Sequence, residues 1–144
     1  GKWAKENGGF VHSVDISEAS VKNAQKEIDK QRLSQVVTIY LQDSIDFLKG
    51  FDNKVDLLYL DSYDYSKTDE AVQKKSQEHH LKEFLAIENC LHDLSIVLID
   101  DCDLPNGGKG KLVIDHMLNH GWKIVYQAYQ VLLVKNDFSF HKGI

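Results

Sequence analysis

Apolar and polar positions follow two rhythms along this chain, and each change of rhythm marks an element. Phe10-Val11-His12-Ser13-Val14-Asp15 is β-rich and ends in an acid. Ser17 can cap a helix with Glu18 in its first turn, and Val21, Ala24 and Ile28 give a helical stripe as far as Arg32. Val36 to Leu41 predicts a second strand that closes at Gln42-Asp43-Ser44. A short helix carrying Ile45, Phe47 and Leu48 then stops at Gly50. Val55 to Leu60, apolar almost throughout, predicts a third strand ending at Asp61-Ser62. The polar stretch from Tyr63 to Gln77 reads as a loop passing into a helix, which Leu81, Phe84, Leu85 and Leu91 carry to about His92. Ser95 to Ile99 predicts a fourth strand, ending at Asp100-Asp101. Pro105, Gly107, Gly108 and Gly110 mark a loop, and Leu112, Val113, Ile114, Met117 and Leu118 form a helix that stops at Gly121. Trp122 to Tyr129 and Gln130 to Val134 leave no room for a helix between them, so they should pair as an antiparallel hairpin.

Strands alternating with helices, the strands running continuously apolar, imply an α/β fold with a mostly parallel sheet covered by helices on both faces. Such sheets bind ligands outside the carboxyl ends of their strands. Asp15, Asp43, Asp61 and Asp100 each stand at a strand end, so the topology should gather acids along one edge. With 144 residues, no internal repeat and no linker, one domain accounts for the whole chain. The opening, Gly1 to Gly9, reads as the last turns of a helix running into a glycine cap, and we expect a further N-terminal piece before it.

Composition narrows the partners. Hydrophobic residues make up 42% and charged residues 27%, the balance of a globular protein, and the net charge is −5. Lys and Arg are scattered among Asp and Glu without a basic stripe, which argues against nucleic acid. No apolar run approaches a membrane span, which argues against a membrane partner. Cys90 and Cys102 form no metal motif and read as buried free thiols of a reducing compartment, so the cytoplasm is the expected location.

The strand-end acids carry the candidate chemistry. Asp15 can accept hydrogen bonds from the vicinal hydroxyls of a ribose, or serve as a helix N-terminal acid. Asp43-Ser44 can meet the exocyclic amine and a ring nitrogen of adenine, or cap the helix behind it. Asp61, Asp100 and Asp101 form the strongest group. Parallel neighbours lie ~4.8 Å apart, so their ends can converge, and three carboxylates together call for a cation. Oxygen ligands suit Mg²⁺, Ca²⁺ or Mn²⁺; the alternative is one cap, one solvated acid and no metal. His79 and His80, near a helix start, point in different directions and cannot chelate from one face, while His12, His92, His116, His120 and His141 show no ligand spacing. Asn106-Gly107-Gly108-Lys109-Gly110-Lys111 lacks the spacing of a phosphate loop; it is either a flexible lid over a substrate or a plain loop before a helix.

In their order, Val11-His12-Ser13-Val14-Asp15, Leu41-Gln42-Asp43-Ser44, Leu58-Tyr59-Leu60-Asp61, Val97-Leu98-Ile99-Asp100-Asp101 and the closing hairpin resemble the class I S-adenosylmethionine-dependent methyltransferases. Leu58 to Asp61 and Val97 to Asp101 look most like the cation-dependent, catechol-type O-methyltransferases. The resemblance implies a Rossmann-like fold and S-adenosylmethionine as cofactor. It places Asp15 on the ribose, Asp43 and Ser44 at the adenine, Asp61 at the cofactor as well as the metal, and Mg²⁺ on Asp61, Asp100 and Asp101. The implied reaction is methyl transfer to a hydroxyl of a small-molecule acceptor; strands left unpaired where the family's first strand would lie point to a homo-oligomer. The departure is that the family's first strand and glycine-rich loop are not in this chain. The alternative is therefore a methyltransferase-like binding or assembly module without catalysis. A phospho-receiver would carry its acid pair after the first strand, and a nicotinamide enzyme would need GxGxxG; neither pattern is present.

Overall fold

In a computed structural model, residues 1–139 are described, and the chain divides into two compact units, 1–50 and from 51 onward. His141 lies outside the described residues.

The first unit contains α1 (Lys2–Glu6), β1 (Val11–Asp15), α2 (Glu18–Lys30), β2 (Val37–Leu41) and α3 (Ser44–Lys49). Helix α1 ends as its glycines suggest: Gly8 takes a left-handed φ of 69° and the Gly9 N–H donates to the Ala4 carbonyl. Ser17 caps α2 by accepting from the Ser20 N–H. The helix stops two residues short of Arg32, which itself takes a left-handed φ of 55°. Strands β1 and β2 pair in parallel, Val11 with Val37 and Asp15 with Leu41, and α2 packs on both.

The second unit contains β3 (Val55–Leu60), α4 (Glu70–Ile87), β4 (Leu91–Ile99), α5 (Lys111–Leu118), β5 (Trp122–Gln127) and β6 (Val131–Lys135). Its sheet runs β3-β4-β6-β5: β3 and β4 are parallel, while β6 is antiparallel to both β4 and β5. The expected hairpin is thus present, with its second strand inserted beside β4. Helix α4 ends at Ile87, not His92, and a single 3-10 turn (Glu88–Cys90) leads into a strand that starts at Leu91. The β3–β4 register jumps, Val55 pairing Leu91 but Leu57 pairing Ile96. Ser95 stitches this irregularity: its hydroxyl accepts from the His92 N–H and donates to the Val55 carbonyl.

Phe84, Ile87, Val97, Ile99, Val113, Met117, Trp122, Leu133 and Val134 are buried, with Phe84 edge-on to Trp122. Strand β3 departs from the two-sided burial that its apolar run suggests. Leu58 and Leu60 are buried, but Leu57 is 60% and Tyr59 48% exposed, because alternate residues face opposite sides of the pleat. Element order and strand pairing are those of a Rossmann-like α/β fold, with a parallel pair in each unit and a C-terminal antiparallel hairpin.

Candidate functional site

The strand-end acids of the two units behave differently. In the first unit they are tied to nearby main chain. The Asp15 carboxylate accepts from the Ser17 N–H at 2.7 Å, and Asp43 caps α3 by accepting from the Asp46 N–H at 3.1 Å. Ser44 opens α3 and is partly buried. Beside them on β1 and β2, His12 and the Tyr40 hydroxyl lie 3.1 Å apart, and Phe47 packs on Tyr40.

In the second unit the acids enter a long-range network. The Asp100 N–H donates to the Leu60 carbonyl, extending the ladder past both strands so that Asp61 and Asp100 emerge side by side. Asp100 is nearly buried, and its carboxylate is claimed by the Tyr59 hydroxyl, the Gln130 side-chain amide and the Asp101 N–H. Burial opposes its ionisation, but these donors and Tyr129 outweigh it and hold the carboxyl below its ordinary range. Tyr59 is held protonated, its hydroxyl pushed upward by burial first and then by Asp100 and Asp61. Tyr129, an exposed residue of the hairpin turn, is pushed the same way, chiefly by its hydrogen bond to Asp101.

Asp61 and Asp101 share one partner that sequence reasoning missed. The Lys109 ammonium donates to Asp61 Oδ1 at 2.8 Å and lies 3.0 Å from Asp101 Oδ2. Its side chain is 6% exposed, against 41% for Asp61 and 25% for Asp101. Burial alone would lower its pKa, but the two carboxylates more than compensate and raise it, so Lys109 stays charged. The main chain holds it there. Asp101 takes a left-handed φ of 51°, and its carbonyl accepts from the Lys109 N–H at 3.1 Å. Gly108 passes so close that a Cβ would stand 2.0 Å from that carbonyl oxygen. The one signal in the sequence was a lysine between two glycines just after an acid pair.

The glycine loop is braced rather than loose. The Gln77 side-chain amide donates to the carbonyls of Asn106 and Gly108, Asn106 donates to Gln73, and the Tyr65 hydroxyl donates to the Pro105 carbonyl. The flexible-lid reading therefore gives way to a loop anchored on α4. His79 and His80 sit in the middle of α4, not at its start. His80 is fully buried, Nδ1 on the Ser76 carbonyl and Nε2 without a hydrogen-bond partner, and burial lowers its pKa. Cys90 and Cys102 are unpaired and partly buried, and burial pushes the Cys102 thiol up to about 11.

A divalent cation on Asp61, Asp100 and Asp101 does not suit this arrangement. Asp61 and Asp101 close on an ammonium, Asp100 is turned to Tyr59 and Gln130, and among the described residues no three His, Cys, Asp or Glu side chains are placed to hold a metal.

The model of a methyltransferase domain family matches residues 1–102. The chain belongs to that family. No curated protein matches it in sequence. Among solved structures, a Clostridium thermocellum protein provisionally named an rRNA methylase superposes with a TM-score of 0.64 at 15% identity, over 88% of this chain and 75% of its own. An S-adenosylhomocysteine-bound Podospora anserina methyltransferase gives 0.65 at 13%, over 89% and 61%. A Staphylococcus aureus protein provisionally named a caffeoyl-CoA O-methyltransferase gives 0.59 at 12%, over 93% and 79%. At these identities the likeness is one of fold. Among the described residues of this methyltransferase-domain protein, no helix is long and apolar enough to cross a membrane.

Proposed function

We propose that the protein transfers a methyl group from S-adenosylmethionine to a hydroxyl of a small-molecule acceptor. Membership of the methyltransferase-domain family carries this reading. The two structural neighbours named for an O-methyltransferase and for S-adenosylhomocysteine support it by analogy of fold. In the first unit, Asp15 takes the ribose hydroxyls and Asp43 with Ser44 the adenine. Each carboxylate gives one oxygen to its local N–H and keeps a second for a ligand, so capping and binding are compatible.

In the second unit, Asp61 is more exposed than the Asp101 and Lys109 side chains of its network, and it is the carboxylate offered to the acceptor. Bound S-adenosylmethionine would supply the methyl group, with S-adenosylhomocysteine as the leaving group, and Asp61 would take the proton of the acceptor hydroxyl. Lys109 fixes that carboxylate by one oxygen; the other accepts from the Tyr59 hydroxyl at 3.4 Å and keeps a lone pair for the acceptor.

The neighbour named an rRNA methylase favours a second reading, with RNA as acceptor. Net charge −5 and the absence of a basic stripe weigh against it. The test is transfer from methyl-labelled S-adenosylmethionine in cell extract, separated into small-molecule and RNA fractions. Label in the small-molecule fraction, lost with Asp61→Asn, is the expected result. Label in RNA would support the second reading, and no transfer by a protein that still binds S-adenosylhomocysteine would make it a binding module.

A further inference from the structure

We propose that Lys109 supplies, from within the chain, the positive charge that the cation-dependent enzymes resembled by this sequence take from a divalent metal, so that the acid cluster works without one. The inference rests on the methyl-transfer reading above and deepens it. Its basis is the way Lys109 is held. The ammonium bridges Asp61 and Asp101 at 2.8 and 3.0 Å from a side chain that is 6% exposed. A buried lysine is stable only when its charge is matched, and two carboxylates match it here.

The position is enforced twice. The Lys109 N–H returns to the Asp101 carbonyl, so backbone and side chain of one residue both close on the same aspartate. The cradle admits no side chain at Gly108, and a Cβ on Gly110 would meet Cys102 Sγ at 2.7 Å. Gln77 then pins the loop from the other side.

Placing Mg²⁺ on these acids would need carboxylate oxygens drawn to about 2.0–2.1 Å from one point. The ammonium occupies the space between two of them, and the third, Asp100, spends its oxygens on Tyr59, Gln130 and the Asp101 N–H. A metal could enter only by expelling a buried, paired lysine into solvent. What Lys109 cannot do is bind the acceptor oxygen as a Lewis acid.

The experiment uses a metal readout that does not depend on activity. Mn²⁺ titration of the protein, followed by electron paramagnetic resonance, should show no saturable binding at millimolar Mn²⁺. Lys109→Met should create saturable binding that Lys109→Met with Asp61→Asn loses. Saturable binding by the unmodified protein that Asp61→Asn abolishes would overturn the proposal, as would a folded Lys109→Met protein that still binds no Mn²⁺. Should Lys109→Met not fold, the titration of the unmodified protein against Asp61→Asn decides alone. In the transfer assay, chelator should leave the rate unchanged, and abolition by chelator with rescue by Mn²⁺ counts against Lys109. A protein that transfers no methyl group sinks the functional reading, while the Mn²⁺ titration still decides the lysine's role.

Discussion

The two units use the same sequence device, an aspartate at the end of a parallel strand, for different physical ends. In the first unit Asp15 and Asp43 accept from N–H groups two and three residues away, contacts that any strand-to-helix turn can form. In the second, Asp61 reaches Lys109 across 48 residues and Asp100 reaches Tyr59 across 41. A local cap stabilises one helix end. A long-range ion pair around a buried charge binds three segments of the fold together, so its loss should be felt throughout the unit. The same residue type thus makes local contacts in one half and holds distant segments together in the other.

That contrast breaks most sharply in Asp61→Asn with Asp101→Asn, which strands the Lys109 charge in a nearly buried position. A loss of roughly 3–5 kcal/mol is expected. Urea unfolding followed through Trp122, in a Trp3→Phe background, reads the second unit, because Trp122 is buried there while Trp3 is exposed in the first. A loss below about 1 kcal/mol would mean that solvent screens the pair as it screens surface ion pairs, and the contrast would vanish.

Gln77→Met sharpens it from the loop side. Removing the amide leaves the carbonyls of Asn106 and Gly108 without their donor, at a cost of about 1–3 kcal/mol in the same unfolding experiment. A flexible lid would show no change.

A pH-dependent difference of smaller size should come from His80. Its folded pKa is depressed by burial, so the folded state prefers the neutral ring. The unfolded chain begins to take up a proton near pH 6.5, and stability present above that value should fall as pH drops toward the folded pKa. Melting temperature against pH should show this decline, and His80→Phe should flatten it.

The smallest effects belong to the first unit. Asp43→Ala removes the α3 cap and should cost about 1 kcal/mol, measured by hydrogen exchange at the α3 amides. A loss as large as that of the Asp61 and Asp101 pair would show that Asp43 also has a distant partner.

The sequence by itself determined what is local. Hydrophobic period placed the six strands and five α-helices of the described residues, because strand pleat and helical turn repeat every two and every three to four residues. Caps at Ser17 and Asp43, the stop at Gly50 and the hairpin were legible for the same reason: each needs only neighbours within a few positions. The end of α4 was misread, since Leu91 fits a helical stripe and a strand equally well until β3 is beside it to pair. Tertiary structure alone decided which acids share a cation. Lys109 belongs to a stretch that reads as a lid or a plain loop, and its flanking glycines after an acid pair do not by themselves say which acids it meets. Only when β3, β4 and the loop after β4 meet do Asp61 and Asp101 stand either side of it, and a charge removed from water must then find its partners wherever the fold has put them.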